Sequence, residues 1–227
     1  MPALNLTALR TQIQGRTCAP VYLFFGDDIR LMEQMVDAIE ATVDPADRPF
    51  AIARLYAGEE HASPLDVAAA ANVFPMLGDR RIVIVLRAER FLKPKRGGKS
   101  GDEGDGAEER AADDGEGSAL DTAPLEDYLE RPAPSTILVF VAAGIDRTRR
   151  LTKRLLDKAA CVEFAGLAAD NANERRDAHR EAVAILQKEF AANGRAIEPA
   201  AIEMIVSRAG GDISKLRGDV ERLMLYT

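Results

Sequence analysis

The chain has no excess of basic charge, only two cysteines and two histidines, and no long apolar run. Each shortage removes a class of protein. Lysine and arginine number 30 against 37 aspartates and glutamates, a net charge of -7. No global field draws nucleic acid, so any DNA contact falls to a local patch. Aromatic and basic residues are not interleaved, which disfavours a stand-alone DNA-binding module. No stretch approaches the ~18 apolar residues of a membrane span. The start, Met1-Pro2-Ala3-Leu4-Asn5-Leu6, lacks the basic and apolar regions of a signal peptide. Cys18 and Cys161 stand far apart and outside any CxxC pair. They make no disulfide framework, a reducing cytoplasm fits, and Cys161 reads as a small core residue. His61 and His179 lack a Cys or carboxylate at metal spacing, and no GxSxG or Cys/His/Asn pattern occurs.

What is present alternates. Segments at 21–25, 53–57, 82–86, 136–141 and 161–164 read as strands, 53–57 more weakly, and the five apolar residues of 82–86 are continuous enough for a strand of a parallel sheet buried on both faces. Between them lie helical patterns. One carries Ile29, Met32, Val36, Ile39 and Val43 on a stripe. Another starts at Ser63-Pro64, an N-cap followed by Pro at N1, and runs through Leu65 and Val67 to Ala71. A third is basic, capped by Asp146 and running to about Lys158. The expected architecture is a three-layer α/β domain with a parallel sheet over residues 1–169. Only helical patterns follow: Glu174–Ala192 with Ala178, Val183, Leu186 and Phe190 inward, Pro199–Arg208, and Asp212–Tyr226 with Ile213, Leu216, Val220, Leu223 and Met224 inward. They read as a small three-helix domain over 170–227. Residues 93–122 have almost no large apolar residue and a strongly acidic second part. That composition predicts a disordered surface insertion, with an acidic docking tail as the functional alternative.

An α/β domain followed by a helical lid is also the layout of a nucleotide-driven ATPase, so the phosphate position is informative. A phosphate-binding loop needs glycines, a Lys and a Ser/Thr after the first strand. Here that place holds Gly26-Asp27-Asp28-Ile29-Arg30-Leu31, with one glycine, no Lys, no hydroxyl and two carboxylates that repel phosphate. No acidic pair ends a later strand to hold magnesium. Gly26 therefore reads as a turn residue, and Asp27 and Asp28 as helix caps.

The least expected stretch is Phe74-Pro75-Met76-Leu77-Gly78-Asp79-Arg80-Arg81, leading into the Ile82–Leu86 strand. Large apolar residues before a strand either fold back as a staple or wait for a partner's pocket. The basic helix offers a second surface. Arg147, Arg150, Arg154 and Lys158 share an arc that suits either an assembly or DNA-proximal face or plain solvation. Arg217 reads as a relic of a phosphate sensor or as a surface or interdomain residue.

Taken in order, Val21–Gly26 with Leu31 and Glu33, Phe74–Arg81 before Ile82–Leu86, Thr136–Val141 followed by Ile145-Asp146-Arg147 and Arg150-Leu151-Thr152-Lys153, and Gly211-Asp212-Ile213 with Leu216, Asp219, Val220, Glu221, Arg222 and Leu223 resemble the delta subunit of the bacterial DNA polymerase III clamp loader. The resemblance spans nearly the whole chain outside 93–122. It implies an AAA+-like (P-loop-like) domain without a working nucleotide site, then a helical lid, with the family's collar beyond the chain's last residue. It implies a cytoplasmic DNA replication protein that binds and opens the ring-shaped sliding clamp (the beta subunit) and works with the delta-prime and tau/gamma subunits. Primed DNA is met indirectly through the complex, and no membrane is involved. By position, the clamp-binding residues are Phe74, Met76 and Leu77, with Gly78-Asp79-Arg80 as the return. Arg80 and Arg81 either touch the clamp or begin the strand. No cofactor, metal or catalytic residue is expected, although the holoenzyme around the subunit is a DNA-directed DNA polymerase, a nucleotidyltransferase. The alternative is an active AAA+-type ATPase of the same architecture.

Overall fold

The structure is a computed structural model that describes residues 4–76, 78–93, 120–167 and 172–226. Its elements run α1(Leu6–Gln14), β1(Val21–Gly26), α2(Ile29–Glu40), α3(Arg48–Ala51), β2(Ile52–Tyr56), α4(Pro64–Asn72), β3(Arg81–Leu86), α5(Glu89–Leu92), α6(Ala123–Glu130), β4(Thr136–Ala142), α7(Arg150–Lys158), β5(Ala160–Phe164), α8(Ala172–Ala192), α9(Pro199–Ala209) and α10(Ile213–Tyr226). The five strands form one sheet, ordered β2-β3-β4-β1-β5, and every pairing is parallel. The expected α/β class with a parallel sheet holds.

Alternation along each strand builds the two core layers. Val21, Leu23 and Phe25 of β1 join Val83 and Val85 of β3 and Leu138 and Phe140 of β4 on one face, covered by α4, α5, α6 and α7. Tyr22, Phe24, Ile82, Ile84, Val139 and Val162 face the other way and are covered by α1 and α2. Both faces of the central strands are dry, which is why they read as unbroken apolar runs. Cys161 is buried in the first layer, as expected. A third cluster, formed by Leu186, Ile202, Leu216 and Val220 among others, holds α8, α9 and α10 together.

Several local expectations change. Ile29 lies outside the buried stripe of α2, which is Met32, Met35, Val36 and Ile39; Ile29 sits at the first helical position and is largely exposed. Leu223 is also exposed rather than inward, and Leu65 is exposed at the start of α4. Asp146 does not cap the basic helix. Its carboxylate accepts from the Thr148 backbone N–H and hydroxyl in a local Asx turn, and α7 begins only at Arg150. The helices α1, α3, α5 and α6 are additions. Leu9 and Ile13 of α1, and Leu125, Tyr128 and Leu129 of α6, are buried. Residues 94–119 of the expected insertion and residues 168–171 at the expected domain boundary lie outside the described residues. Among the described residues no helix is long and apolar enough to cross a membrane.

Candidate functional site

The strands of the parallel sheet all begin at one rim and end at the other, and the two candidate places fall on opposite rims. The stretch before β3 is at the rim where strands begin. It starts where α4 ends, at Asn72, so Phe74 and Met76 sit just beyond the helix tip, in the loop. Both side chains are 80% exposed. Such exposure in two adjacent large apolar groups rules out the local-staple reading for them. Their backbone support is firm. Ser63 and Asp66 close a reciprocal capping box at the start of α4. Arg81, the first residue of β3, donates from Nε to the Ala70 carbonyl (3.0 Å) and from Nη1 to the Phe50 carbonyl (3.4 Å). It thus ties the end of α4 to α3 and begins the strand. Gly78 has φ +70, and a Cβ there would lie 3.1 Å from the Asp47 carboxylate, so the return is pressed against the segment before α3. Arg80 is half-buried beside Asp79, Asp47 and Arg16 in a shallow hollow. Leu77 lies outside the described residues.

Nearby, Tyr22 anchors α1 to the start of β1. Its hydroxyl donates to Gln12 Oε1 and accepts from the Ala19 N–H, both at 2.8 Å. Burial pushes the Tyr22 phenol well above its ordinary value and raises the Cys18 thiol as well.

The phosphate position is at the other rim, after β1. Gly26 takes φ +135, where a Cβ would lie 2.1 Å from the Phe164 carbonyl oxygen. The Asp27 and Asp28 N–H groups, which in a phosphate loop face the ligand, both point to that carbonyl, at 3.0 and 3.3 Å. Asp28 caps α2, accepting from the Leu31 N–H at 3.1 Å. Its carboxylate also meets Arg217 of α10. Arg217 Nε lies 3.0 Å from both Asp28 oxygens and Nη2 lies 2.8 Å from Oδ2, while Nη1 reaches Glu189 Oε1 at 3.2 Å. The side chains of Arg217 and Asp28 are only 12% and 2% exposed. Arg217 therefore ties α10 and, through Glu189, α8 to the N-terminal cap of α2, and is not a free surface residue. Ser214 and Glu221, on the same face of α10, add a hydrogen bond to the Asp27 carbonyl (3.2 Å) and an ion pair with Arg30 (2.5 Å).

The basic arc is present but largely neutralised within the chain. Arg150 lies 2.5 Å from Glu126, while Arg154 and Lys158 share Glu130 at 2.6 and 3.1 Å. Lys158 and then Arg154 hold the Glu130 carboxyl below its ordinary range. Arg147 stands apart, 3.9 Å from Glu163. His61 is exposed, and His179 lies 3.2 Å from Glu203 on the surface. Among the described residues no group of three or more His, Cys, Asp or Glu could hold a metal ion.

No family model matches the chain. Over 211 residues, 91% of its length, it is 28% identical to DNA polymerase III subunit delta of Bacillus subtilis (strain 168). The Bacillus subtilis DNA clamp loader delta protein (YqeN) shares its fold, with a TM-score of 0.63 and 24% identity over 97% of this chain and 57% of that one. In sequence and fold the chain is thus similar to delta subunits. It covers 52% of the curated relative, about half its length. A gamma subunit-related protein of DNA polymerase III from Thermotoga maritima is more distant, at TM-score 0.42 and 16% identity over 88% of this chain and 56% of that one.

In this delta-like chain, sequence reasoning missed Phe50. It lies on α3, immediately before β2, is more than half exposed, and is joined to the loop of Phe74 and Met76 through Arg81. Its signal was present in the run Arg48-Pro49-Phe50, where Pro at the start of a turn precedes an unpaired aromatic.

Proposed function

We propose that this chain is a non-catalytic part of a bacterial clamp loader. It binds the sliding clamp of DNA polymerase III through Phe74, Met76 and Leu77, with Arg80 at the rim, and opens one interface of the ring. The carrying observation is the loop after α4 that leaves Phe74 and Met76 largely exposed to solvent, between a helix and a strand tied together by Arg81. The delta-like sequence and fold support the same reading. We assign residues 1–169 to an ATPase-like domain and 170–227 to a lid. The delta-prime and tau/gamma subunits are the expected assembly partners, primed DNA is reached through them, and the setting is cytoplasmic. Use of the Asp27 and Asp28 amides on Phe164, and of the Asp28 carboxylate on Arg217, favours a chain without a nucleotide site over an active ATPase.

A ring closed by its own interfaces opens only for a ligand that binds the open form better than the closed one. Apolar anchors seated near one interface, on a loop braced by a rigid sheet, supply such a difference. Nucleotide is not needed for that step. The test is release of the sliding clamp from circular DNA. The chain alone, without ATP, should speed release and form a complex with the clamp. Unchanged release together with no complex refutes the reading.

A further inference from the structure

We propose that Phe50 is a further anchor on the surface that carries Phe74 and Met76, and that the sliding clamp covers it. The inference rests on the clamp reading above and adds a second segment of the chain to that contact. Phe50 is 55% exposed, although its backbone is engaged on both sides. Its N–H donates to the Asp47 carbonyl at 3.0 Å, and its carbonyl accepts from Arg81 Nη1 at 3.4 Å. The next residue, Ala51, is fully buried, which fixes the chain directly beneath the ring. Among the described residues Phe50 enters none of the three apolar clusters and pairs with no other ring. A large apolar side chain on well-held backbone, left outside the core, suits a partner's pocket, because little ordering entropy is lost on burying it. Its position names the partner. Strands β2 and β3 are parallel neighbours, with Ile52 beside Ile82, so the segments leading into them reach the same rim side by side. Two ties join those segments. Arg81 donates to Ala70 at the end of α4 as well as to Phe50, and the Gly78 turn lies against Asp47, just before α3. Val73, 46% exposed, follows α4 directly and continues the apolar surface toward Phe74. A clamp surface that receives Phe74 and Met76 therefore meets Phe50 in the same approach. Tyr56, a similarly exposed ring at the other end of β2, lies on the opposite rim.

Calorimetric titration of the chain with the sliding clamp from the same genome tests this. Phe50→Ala should weaken the complex about tenfold, since part of the ring is already covered in the free chain. The free variant should melt within about two degrees of the parent. Tyr56→Ala should bind the clamp like the parent. A benzophenone amino acid in place of Phe50 should cross-link to the clamp on illumination, and one in place of Tyr56 should not. Parent-like clamp affinity in Phe50→Ala overturns the proposal. The clamp reading itself survives that result if Phe74→Ala with Met76→Ala still weakens the complex, whereas no complex with the parent chain overturns both. Should Phe50→Ala melt several degrees lower, the cross-link decides, because it keeps an aromatic ring at that position, and its absence overturns the proposal. If a second copy of this chain covers Phe50 instead, sedimentation shows a self-association that Phe50→Ala abolishes while clamp affinity stays at the parent value, and that result overturns it too.

Discussion

Truncating Phe74 and Met76 together to alanine separates a binding surface from a piece of core. Each side chain is 80% exposed in the free chain, so neither contributes much to folding. Substitutions at such positions change stability by about 0.5 kcal/mol or less, which for a chain of this size moves the melting temperature by about two degrees at most. In a partner's pocket the balance reverses. Full burial of a Phe or Met side chain is worth about 1.5–3 kcal/mol. Alanine keeps part of each contact, and neighbouring hot spots are not additive. The double variant should therefore lose about 3–5 kcal/mol of binding free energy. At about 1.4 kcal/mol per decade, that weakens the complex with the sliding clamp roughly a hundredfold to a few thousandfold. Calorimetric titration of the clamp, beside thermal melting of the free variant, measures both quantities. Leu65→Ala is the control. That residue is exposed, but at the start of α4, toward the opposite rim of the sheet, and its loss should leave binding unchanged. A double variant that binds like the parent refutes the assigned surface. One that melts several degrees lower refutes the assumption that the two side chains are free of the core.

Gly26→Ala should cost at least about 3 kcal/mol or abolish folding, because the new Cβ would sit 2.1 Å from the Phe164 oxygen at φ +135. Gly194→Ala, also at positive φ but with nothing within 4 Å, should cost only about 1–2 kcal/mol; equal losses in urea unfolding would remove the steric argument. Arg150→Ala should cost about 1–2 kcal/mol, because it leaves the buried Glu126 carboxylate without its cation, the pair being partly screened by the exposure of Arg150. Arg147→Ala, at 3.9 Å from an exposed Glu163, should fall within about 0.5 kcal/mol of the parent, and the two urea midpoints compare them directly. Acid should destabilise the chain through three carboxyls held below their ordinary range. Asp66 is lowered by the Ser63 hydroxyl and backbone N–H, Asp146 by the Thr148 hydroxyl and N–H, and Glu130 chiefly by Lys158. A depressed folded pKa gives stability that is complete above the ordinary carboxylate range and lost as pH falls through the folded value. Unfolding midpoints should thus drop below pH about 4, and less steeply in Asp66→Asn and Glu130→Gln; identical slopes in parent and variants would exclude these groups.

The strands were legible because a parallel sheet covered on both faces demands unbroken apolar runs, and β1, β3 and β4 carry them, while β5, at one edge, keeps an apolar pattern broken by the exposed Glu163. Only β2, an edge strand with half-exposed residues, slipped by one position. Of the four short helices that escaped, α3 and α5 are single turns of four residues, and α1 and α6 escaped for opposite reasons. The Leu6, Leu9, Ile13 spacing of α1 covers barely two turns, too short for periodicity to stand out. The α6 sequence follows directly on an acidic stretch, and its own Glu and Asp residues blend into that composition although Leu125, Tyr128 and Leu129 are buried. The cap of α7 failed because an aspartate with a hydroxyl two residues on has a local alternative to capping, and the Asx turn took it.

The anomaly at Phe74–Arg81 was visible in sequence as apolar residues where a polar loop belongs, but its sign was not. Exposure depends on what lies beneath, and α3 and Asp47 reach that loop through Arg81 and Gly78, contacts made across the fold. The Asp28–Arg217 bond was hidden in the same way. Read singly, Asp28 is a cap and Arg217 a charged residue on a surface helix. On α10 the spacing 214, 217, 221 sets three polar side chains on one helical face, and each finds its partner among residues 27, 28 and 30. A polar stripe on an otherwise amphipathic helix usually faces water; this one faces the start of another helix. The two carboxylates that made the phosphate position look abandoned are thus half of an explanation whose other half is an arginine near the far end of the chain. Asp28 serves two partners at once, the Leu31 N–H of α2 and the Arg217 guanidinium of α10.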